Sequence, residues 1–428
     1  MGALSCETRV SGGRWSGALW REREILTALR GGELITMKDA AEYAMFSRRE
    51  MDRRYALAQR GMAARGLDAL LVTGEENFQY FTGTSASLAL HYSLSRPNVL
   101  ILPRRGEPVV LTQTKEYMTL SCYVTEFREY FDVLQFPSGL IADTLREVGL
   151  EHHRVGTELG QEQRLGIPVG AYLALVAAMP DTEFVDAADL LISLRTVKSE
   201  EELAYMRRAA DITGRARQRL FAQHVGPGTT ERDIARTMRR LILEEGGDRT
   251  SFVHLQLDVP GCKNPFHYDR PLRRGDVLAV DTGAYVGMYT IDYPRMATLG
   301  PATGAQKRAH AAVLEVTRRM AEALRPGVLC SDLHRLALQA IADVGGVIDW
   351  PDRIPGGRFG HGQGMLLTEP PSINPRDHTA LTPGMVLSTE PGFRLDGVPM
   401  LWEDTHVVTE TGHVQLTLET SELREIPF

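Results

Sequence analysis

Gly275-Asp276-Val277-Leu278-Ala279-Val280-Asp281-Thr282-Gly283-Ala284-Tyr285-Val286-Gly287-Met288-Tyr289-Thr290-Ile291-Asp292 is a nearly unbroken apolar run that carries Asp281 in its middle and Asp292 at its end. Its length and its β-branched and aromatic content read as a β-hairpin with Val286-Gly287 as a two-residue loop, Gly287 supplying a positive φ. Tyr285 then faces Met288 and, counting back along both strands, Asp281 faces Asp292. Directly opposed residues share a face of the sheet with Cβ atoms ~4.5–5.5 Å apart. Two carboxylates so placed repel unless one is protonated or a cation lies between them.

The same reasoning applies nearer the C-terminus. Met385-Val386-Leu387-Ser388-Thr389-Glu390 and Leu401-Trp402-Glu403-Asp404-Thr405-His406-Val407-Val408 are two strands around Asp396-Gly397, a strong short hairpin signal. That loop sets Glu390 opposite Glu403, with Pro391 and Pro399 distorting the ladder between. One such pair is most often a solvated surface feature. Two, each embedded among apolar strand residues, call for a counter-charge, because buried like charges are costly. Between the hairpins, Gly360-His361-Gly362-Gln363-Gly364 adds one imidazole, although His361 alone would read as structural. Four carboxylates and an imidazole, without a thiolate, suit a pair of hard or borderline divalent ions such as Mn²⁺, Fe²⁺ or Co²⁺.

Outward from these hairpins, the 428-residue chain has ordinary globular composition, 43% hydrophobic and 24% charged, with a net charge of −7. It has no basic block, so electrostatics point to neither nucleic acid nor an anionic membrane as a partner. The longest apolar stretch, Ala171–Met179, is far short of the ~18 residues that span a bilayer. Arg9, Arg14 and Arg21 interrupt any secretory signal, and Cys6 stands where a myristoylation motif has Ser or Thr. Cys6, Cys122, Cys262 and Cys330 lack CxxC spacing, so neither a disulfide framework nor a thiolate zinc site is expected. A cytoplasmic location is expected.

Residues 1–40 read as a loose extension, with Met37 a candidate physiological start. An α/β domain is expected over 41–190. Its signals are a helix Ser47–Arg65 capped by Gly66, strands at Leu67–Val72, Val99–Leu102, Pro108–Thr112 and Val155–Thr157, and a further element at Tyr172–Met179. The catalytic domain, 191–428, opens with a long helix whose Ser199 and Glu202 form a capping box. A second capped helix follows Val225-Gly226-Pro227-Gly228-Thr229-Thr230.

In these residues the chain resembles the pita-bread metallopeptidase family of Xaa-Pro aminopeptidases, prolidases and creatinases, from about Phe46 to the C-terminus. The markers are Leu194-Arg195-Thr196-Val197-Lys198-Ser199, Pro227-Gly228-Thr229-Thr230-Glu231, Val280-Asp281-x-Gly283 with Asp292, and Gly360-His361-Gly362-x-Gly364. Pro383-Gly384-Met385-Val386 through Glu390-Pro391-Gly392, and Glu403-Asp404-Thr405, complete them. The resemblance implies an α/β N-terminal domain plus an α+β pita-bread catalytic domain, whose curved antiparallel sheet holds the metals between two symmetry-related halves. It implies that Asp281 binds one ion, His361 and Glu390 the other, and that Asp292 and Glu403 bridge them. The ions would be two of Mn, Fe, Co or Zn, with manganese favoured. His267, in Asn264-Pro265-Phe266-His267-Tyr268, would stabilise the tetrahedral intermediate while Glu390 accepts the proton of the attacking water. The implied activity is hydrolysis of a C–N bond, the implied partner a small peptide or other small molecule, and the implied assembly a homodimer.

Three positions depart from the peptidases of that family. Gly357 and Thr368 replace histidines four residues before and seven after the metal histidine, and Leu401 replaces an arginine two residues before the last glutamate. All three groups help hold the peptide. Their absence leaves the metal chemistry intact and opens an alternative, a hydrolase or lyase acting on an ectoine-, creatine- or dimethylsulfoniopropionate-like metabolite. An inactive binding module, the second alternative, would have eroded ligands, and all five are present here.

Overall fold

The structure is a computed structural model that describes residues 44–84, 96–132, 134–257, 269–348 and 357–428. It opens with the expected helix, Arg48–Arg65. Ser47 Oγ accepts from the Glu50 amide at one end and Gly66, at φ +63°, closes the other. Six short strands follow, β1 (Ala69–Val72), β2 (Val99–Pro103), β3 (Val109–Thr112), β4 (Glu126–Glu129), β5 (Arg154–Thr157) and β6 (Glu183–Asp186). They form one mixed sheet in the order β4-β3-β2-β1-β5-β6. β1 to β3 are apolar on both faces and wholly buried, as strands covered by helices on both sides must be. The element expected at Tyr172–Met179 is the helix Val169–Ala178, with Met179 its C-cap residue. Asp189-Leu190-Leu191 sits inside another helix, Ala188–Thr196, which leads directly to the helix Glu200–Gln223.

The second part contains two units of like construction. In the first, β7 (Arg249–Leu257), β8 (Val277–Val286), β9 (Tyr289–Thr290) and β10 (Arg295–Leu299) pair antiparallel, and the C-terminal β18 (Arg424–Ile426) joins β10 in parallel. The helices Glu200–Gln223 and Glu231–Glu244 pack on β7 and β8, and both begin with capping boxes, Ser199 with Glu202 and Thr230 with Asp233. In the second unit, β11 (His361–Gly362), β12 (Glu369–Ser372), β13 (Val386–Thr389), β16 (Asp404–Val408) and β17 (His413–Gln415) form a sheet in the order β12-β11-β13-β16-β17. The hairpin β14 (Gly392–Leu395) and β15 (Val398–Leu401) extends beside it, and the helix Gly304–Glu322 packs on that hairpin and on β13. The helix Cys330–Asp343 pairs with Gly304–Glu322, so an α/β domain followed by an α+β catalytic domain of two helix-pair-and-sheet units is the architecture, as the resemblance implies.

The C-terminal hairpin keeps the register read from its turn. Leu395 pairs with Val398 around Asp396-Gly397, both at positive φ, and Thr389 pairs with Asp404 in the same register further along. Glu390 and Glu403 therefore stand across from one another where the ladder breaks at Pro391 and Trp402. The first hairpin does not keep its expected register. Its loop is Gly287-Met288, Tyr285 pairs with Thr290, and Val280 pairs with Arg295, so Asp281 is not opposed to Asp292. In this register Asp281 is level with Pro294, which has no N–H to donate, and the ladder lapses over 291–294. The Thr290 amide instead donates to Gly364 O at 2.8 Å, and the chain presses so close to Gly283 that a Cβ there would stand 1.6 Å from Ile291 O. Asp292 is thus carried out of the β8 ladder toward β11.

The two domains meet at a buried cation. Arg54, 0% exposed, donates to Glu50 Oε1 and Tyr80 O at 2.8 Å each and to Tyr289 Oη at 3.3 Å. Its guanidinium lies 4.0 Å from the Phe46 ring centre and 4.3 Å from that of Tyr80, and Glu202 of the catalytic domain is 3.8 Å away. Removing one partner of a buried ion cluster leaves uncompensated charge and costs ~3–5 kcal/mol. Arg53, 2.8 Å from Glu50 and 3.3 Å from Glu202, keeps part of the neutralisation. Arg54→Met is therefore expected to destabilise by about 3 kcal/mol, read as a lower urea midpoint; an unchanged midpoint would show that the cluster does not hold the domains.

Candidate metal centre

Asp292, His361 and Glu403 converge. Each offers one ligand atom, these atoms all lie within 4.8 Å of one another, and all three residues are buried. His361 Nε2 is 3.9 Å from Glu403 Oε1. Its Nδ1 is 3.0 Å from Gly362 O, a contact that requires the proton on Nδ1 and leaves the Nε2 lone pair for a cation. Three separate devices bring the groups together. Asp292 sits in the lapse after β9, His361 opens β11, and Glu403 immediately precedes β16. Gly360 lets β11 dock, since it holds φ +148° and a Cβ there would stand 2.0 Å from Ser388 O.

Asp281 and Glu390 lie outside this group of three. Asp281, 5% exposed, is on β8 directly across from His254 on β7, and the two line a small cleft with Gln256 and Leu401. His254 is a site candidate that the sequence reading did not single out; its strand register beside Asp281 is the signal that would have found it. Glu390 is half-buried, and its amide donates to Phe359 O at 2.7 Å. His267 lies outside the described residues. Of the three departures, Gly357 accepts from Asn374 Nδ2 through its carbonyl at 3.2 Å, and Leu401 lies in β15. Thr368 Oγ1 accepts from Arg358 Nη2 at 3.1 Å, which places a guanidinium beside one of the missing histidines.

The donor set fits divalent metal ions. Two enclosed carboxylates side by side are costly without donors or a cation between them, and oxygen donors with one imidazole match Mn, Fe, Co or Zn.

Comparison with known proteins agrees with this chemistry. The profile of metallopeptidase family M24 matches residues 204–410, and that of the creatinase/prolidase N-terminal domain matches 54–197. The Xaa-Pro dipeptidase of Pyrococcus furiosus is 30% identical over 246 residues, which cover 56% of this chain and 68% of the relative. The structure of dipeptidase PepE from Mycobacterium ulcerans superposes with a TM-score of 0.73 at 27% identity, over 90% of this chain and 100% of the other. A prolidase from Thermococcus sibiricus shares the fold with a TM-score of 0.76 at 24% identity, over 89% and 100% of the two chains.

Behind β11 runs a second buried charge network. Glu369, at the start of β12, pairs with Arg195 Nη2 and, at 3.2 Å, with Lys198 Nζ. Arg195 Nη1 donates to Asn77 Oδ1 at 3.0 Å, and Asn77 Nδ2 donates to Glu158 at 2.7 Å, so the network reaches into the N-terminal sheet. Burial alone would raise the Glu369 carboxyl, but Arg195 and Lys198 outweigh it and hold its pKa down to about 2. A carboxyl so depressed stabilises the fold fully above its unfolded value of ~4.3, and that contribution is lost as pH falls through about 2. Glu369→Gln leaves two buried cations unmatched and is expected to cost ~3–5 kcal/mol at neutral pH. The difference from the parent should shrink as urea melts are taken from above pH ~4.3 down toward 2; a difference independent of pH would refute the pairing.

Proposed function

The chain belongs to metallopeptidase family M24 and is a hydrolase, and we propose that it cleaves the C–N bond of a small peptide at a pair of divalent ions held by Asp281, Asp292, His361, Glu390 and Glu403. The observation that carries this reading is the buried convergence of Asp292, His361 and Glu403. In it Asp281 would hold one ion, His361 and Glu390 the other, and Asp292 and Glu403 would be shared between them. Manganese is favoured by the predominance of carboxylate oxygens. The ions would supply Lewis acidity and a water of lowered pKa. Glu390 is the proton acceptor, because it is partly exposed where Asp292 and Glu403 are sealed, so a proton can arrive and leave through solvent. His267 donates to the developing oxyanion. The proposed division is an extension 1–40, an N-terminal domain 41–190 and a catalytic domain 191–428; the profile matches over 54–197 and 204–410 support a domain boundary in that region.

A cytoplasmic homodimer belongs to the same reading; no helix among the described residues is long and apolar enough to cross a membrane. For the substrate, the names of the relatives favour a dipeptide, and Arg358 beside Thr368 would meet its terminal carboxylate as a charge-assisted hydrogen bond. A second reading, a small non-peptide metabolite, is favoured by Gly357, Thr368 and Leu401.

Elemental analysis after reloading with Mn²⁺ is expected to find two ions per chain. Asp292→Ala or Glu403→Ala should abolish turnover and the rise in melting temperature that metal binding confers; a parent chain that stays metal-free would end the proposal. Assayed against Xaa-Pro dipeptides, other dipeptides and a panel of small amides and betaines, the Mn²⁺-loaded protein is expected to show kcat/KM on Xaa-Pro peptides below ~10⁴ M⁻¹s⁻¹, the low end for ordinary enzymes. A higher value would make the three departures irrelevant to specificity.

A further inference from the structure

We propose that Gln363 is a positioning residue of the metal centre, a neutral clamp whose amide ties the two bridging carboxylates to each other. The proposal rests on the assignment of Asp292 and Glu403 as bridges. Gln363 follows β11 directly, two residues after His361, and its side chain reaches Glu403 as the imidazole does. Gln363 is 0% exposed. Its Nε2 lies 2.5 Å from Asp292 Oδ1, 3.1 Å from Asp292 O and 3.3 Å from Glu403 Oε1. Its Oε1 accepts from Thr405 Oγ1 at 3.2 Å.

The orientation of the amide follows from its neighbours. Turned end for end, it would set its oxygen against two carboxylates and a carbonyl, acceptor against acceptor. As oriented, the two N–H groups are given to Asp292 and Glu403, and the Thr405 hydroxyl holds the other end. An apolar side chain of the same size would fill the space and supply neither donor. A lysine would bring a positive charge of its own, in competition with a bound cation. The amide has no charge to compete and no proton to lose across the working pH range. It therefore steadies two like charges while the site is empty and still permits them to bind metal. Hydrogen bonds to ligating carboxylates orient them and trim their charge, and loss of such support usually costs 10–100-fold in metal affinity.

The test is titration of Mn²⁺ against a competing fluorescent chelator, with the full chain. Gln363→Met keeps the length of the side chain and removes both donors. Its Mn²⁺ affinity is expected to fall ~10–100-fold, whereas a residue that only fills space would leave it unchanged. Thr405→Val releases the far end of the amide and is expected to weaken binding by about fivefold, the worth of one neutral hydrogen bond; it serves as the measurement if Gln363→Met does not fold. Affinities within twofold of the parent overturn the clamp. A parent chain that binds no Mn²⁺ overturns the metal reading and the clamp with it.

Discussion

Asp292 and Glu403 are sealed from solvent within reach of the same imidazole, and the cost of keeping two carboxylates there governs the structure around them. Water cannot screen them, so each needs donors or cations from the protein or from bound metal. Gln363 answers part of that need. The backbone beside both residues is gripped by arginines that are themselves buried. Arg295 donates to Glu403 O at 2.7 Å, pairs with Asp404 at 2.7 Å and lies 4.1 Å from the Trp402 ring. Arg217 donates to Tyr293 O at 2.7 Å and pairs with Glu419 at 2.5 Å. The chain on the C-terminal side of each carboxylate is thus fixed by a guanidinium tied to an aromatic ring and to its own counter-ion.

The same device recurs where the domains join. Arg54 with Glu50 and Glu202, and Arg195 and Lys198 with Glu369, are enclosed charge sets in which planar guanidinium groups make several hydrogen bonds at once. Such pairs are weak evidence for net stability, but they tolerate few alternative arrangements. Their value here is positional. Glu369 also accepts from the Leu366 amide at 3.1 Å, so the segment that carries His361 and Gln363 is anchored at its far end to Arg195 and Lys198, at the junction of the two domains. The N-terminal sheet and the metal centre are connected by that line of contacts rather than by the apolar core alone.

Much of this was readable in the residues. The capping boxes at Ser199 and Thr230 and the Asp396-Gly397 turn depend on hydrogen bonds between near neighbours, and spacing along the chain specifies those directly. The turn then carried the register out to Glu390 and Glu403, because a two-residue loop leaves the following pairs little freedom. The first hairpin resisted the same reasoning. Two adjacent placements of its loop are sterically acceptable, and the choice fell to Pro294 and to a hydrogen bond with Gly364, which lies far along the chain. The partnerships of Gln363 with Asp292 and of Arg195 with Glu369, 71 and 174 residues apart, have no periodic signature at all.

By itself, then, the sequence determined the α/β first domain, the C-terminal register and the ligand chemistry, since these follow from local hydrogen bonding, apolar periodicity and residue type, while the α+β form of the catalytic domain was legible through its family resemblance. Only the tertiary structure decided which carboxylates converge, that Asp292 leaves its ladder to meet His361 and Glu403 while Asp281 stays beside His254, and which amide and which cations hold them. Those choices are made by packing between segments distant in sequence, where a buried charge accepts whichever partner the fold brings within hydrogen-bonding distance.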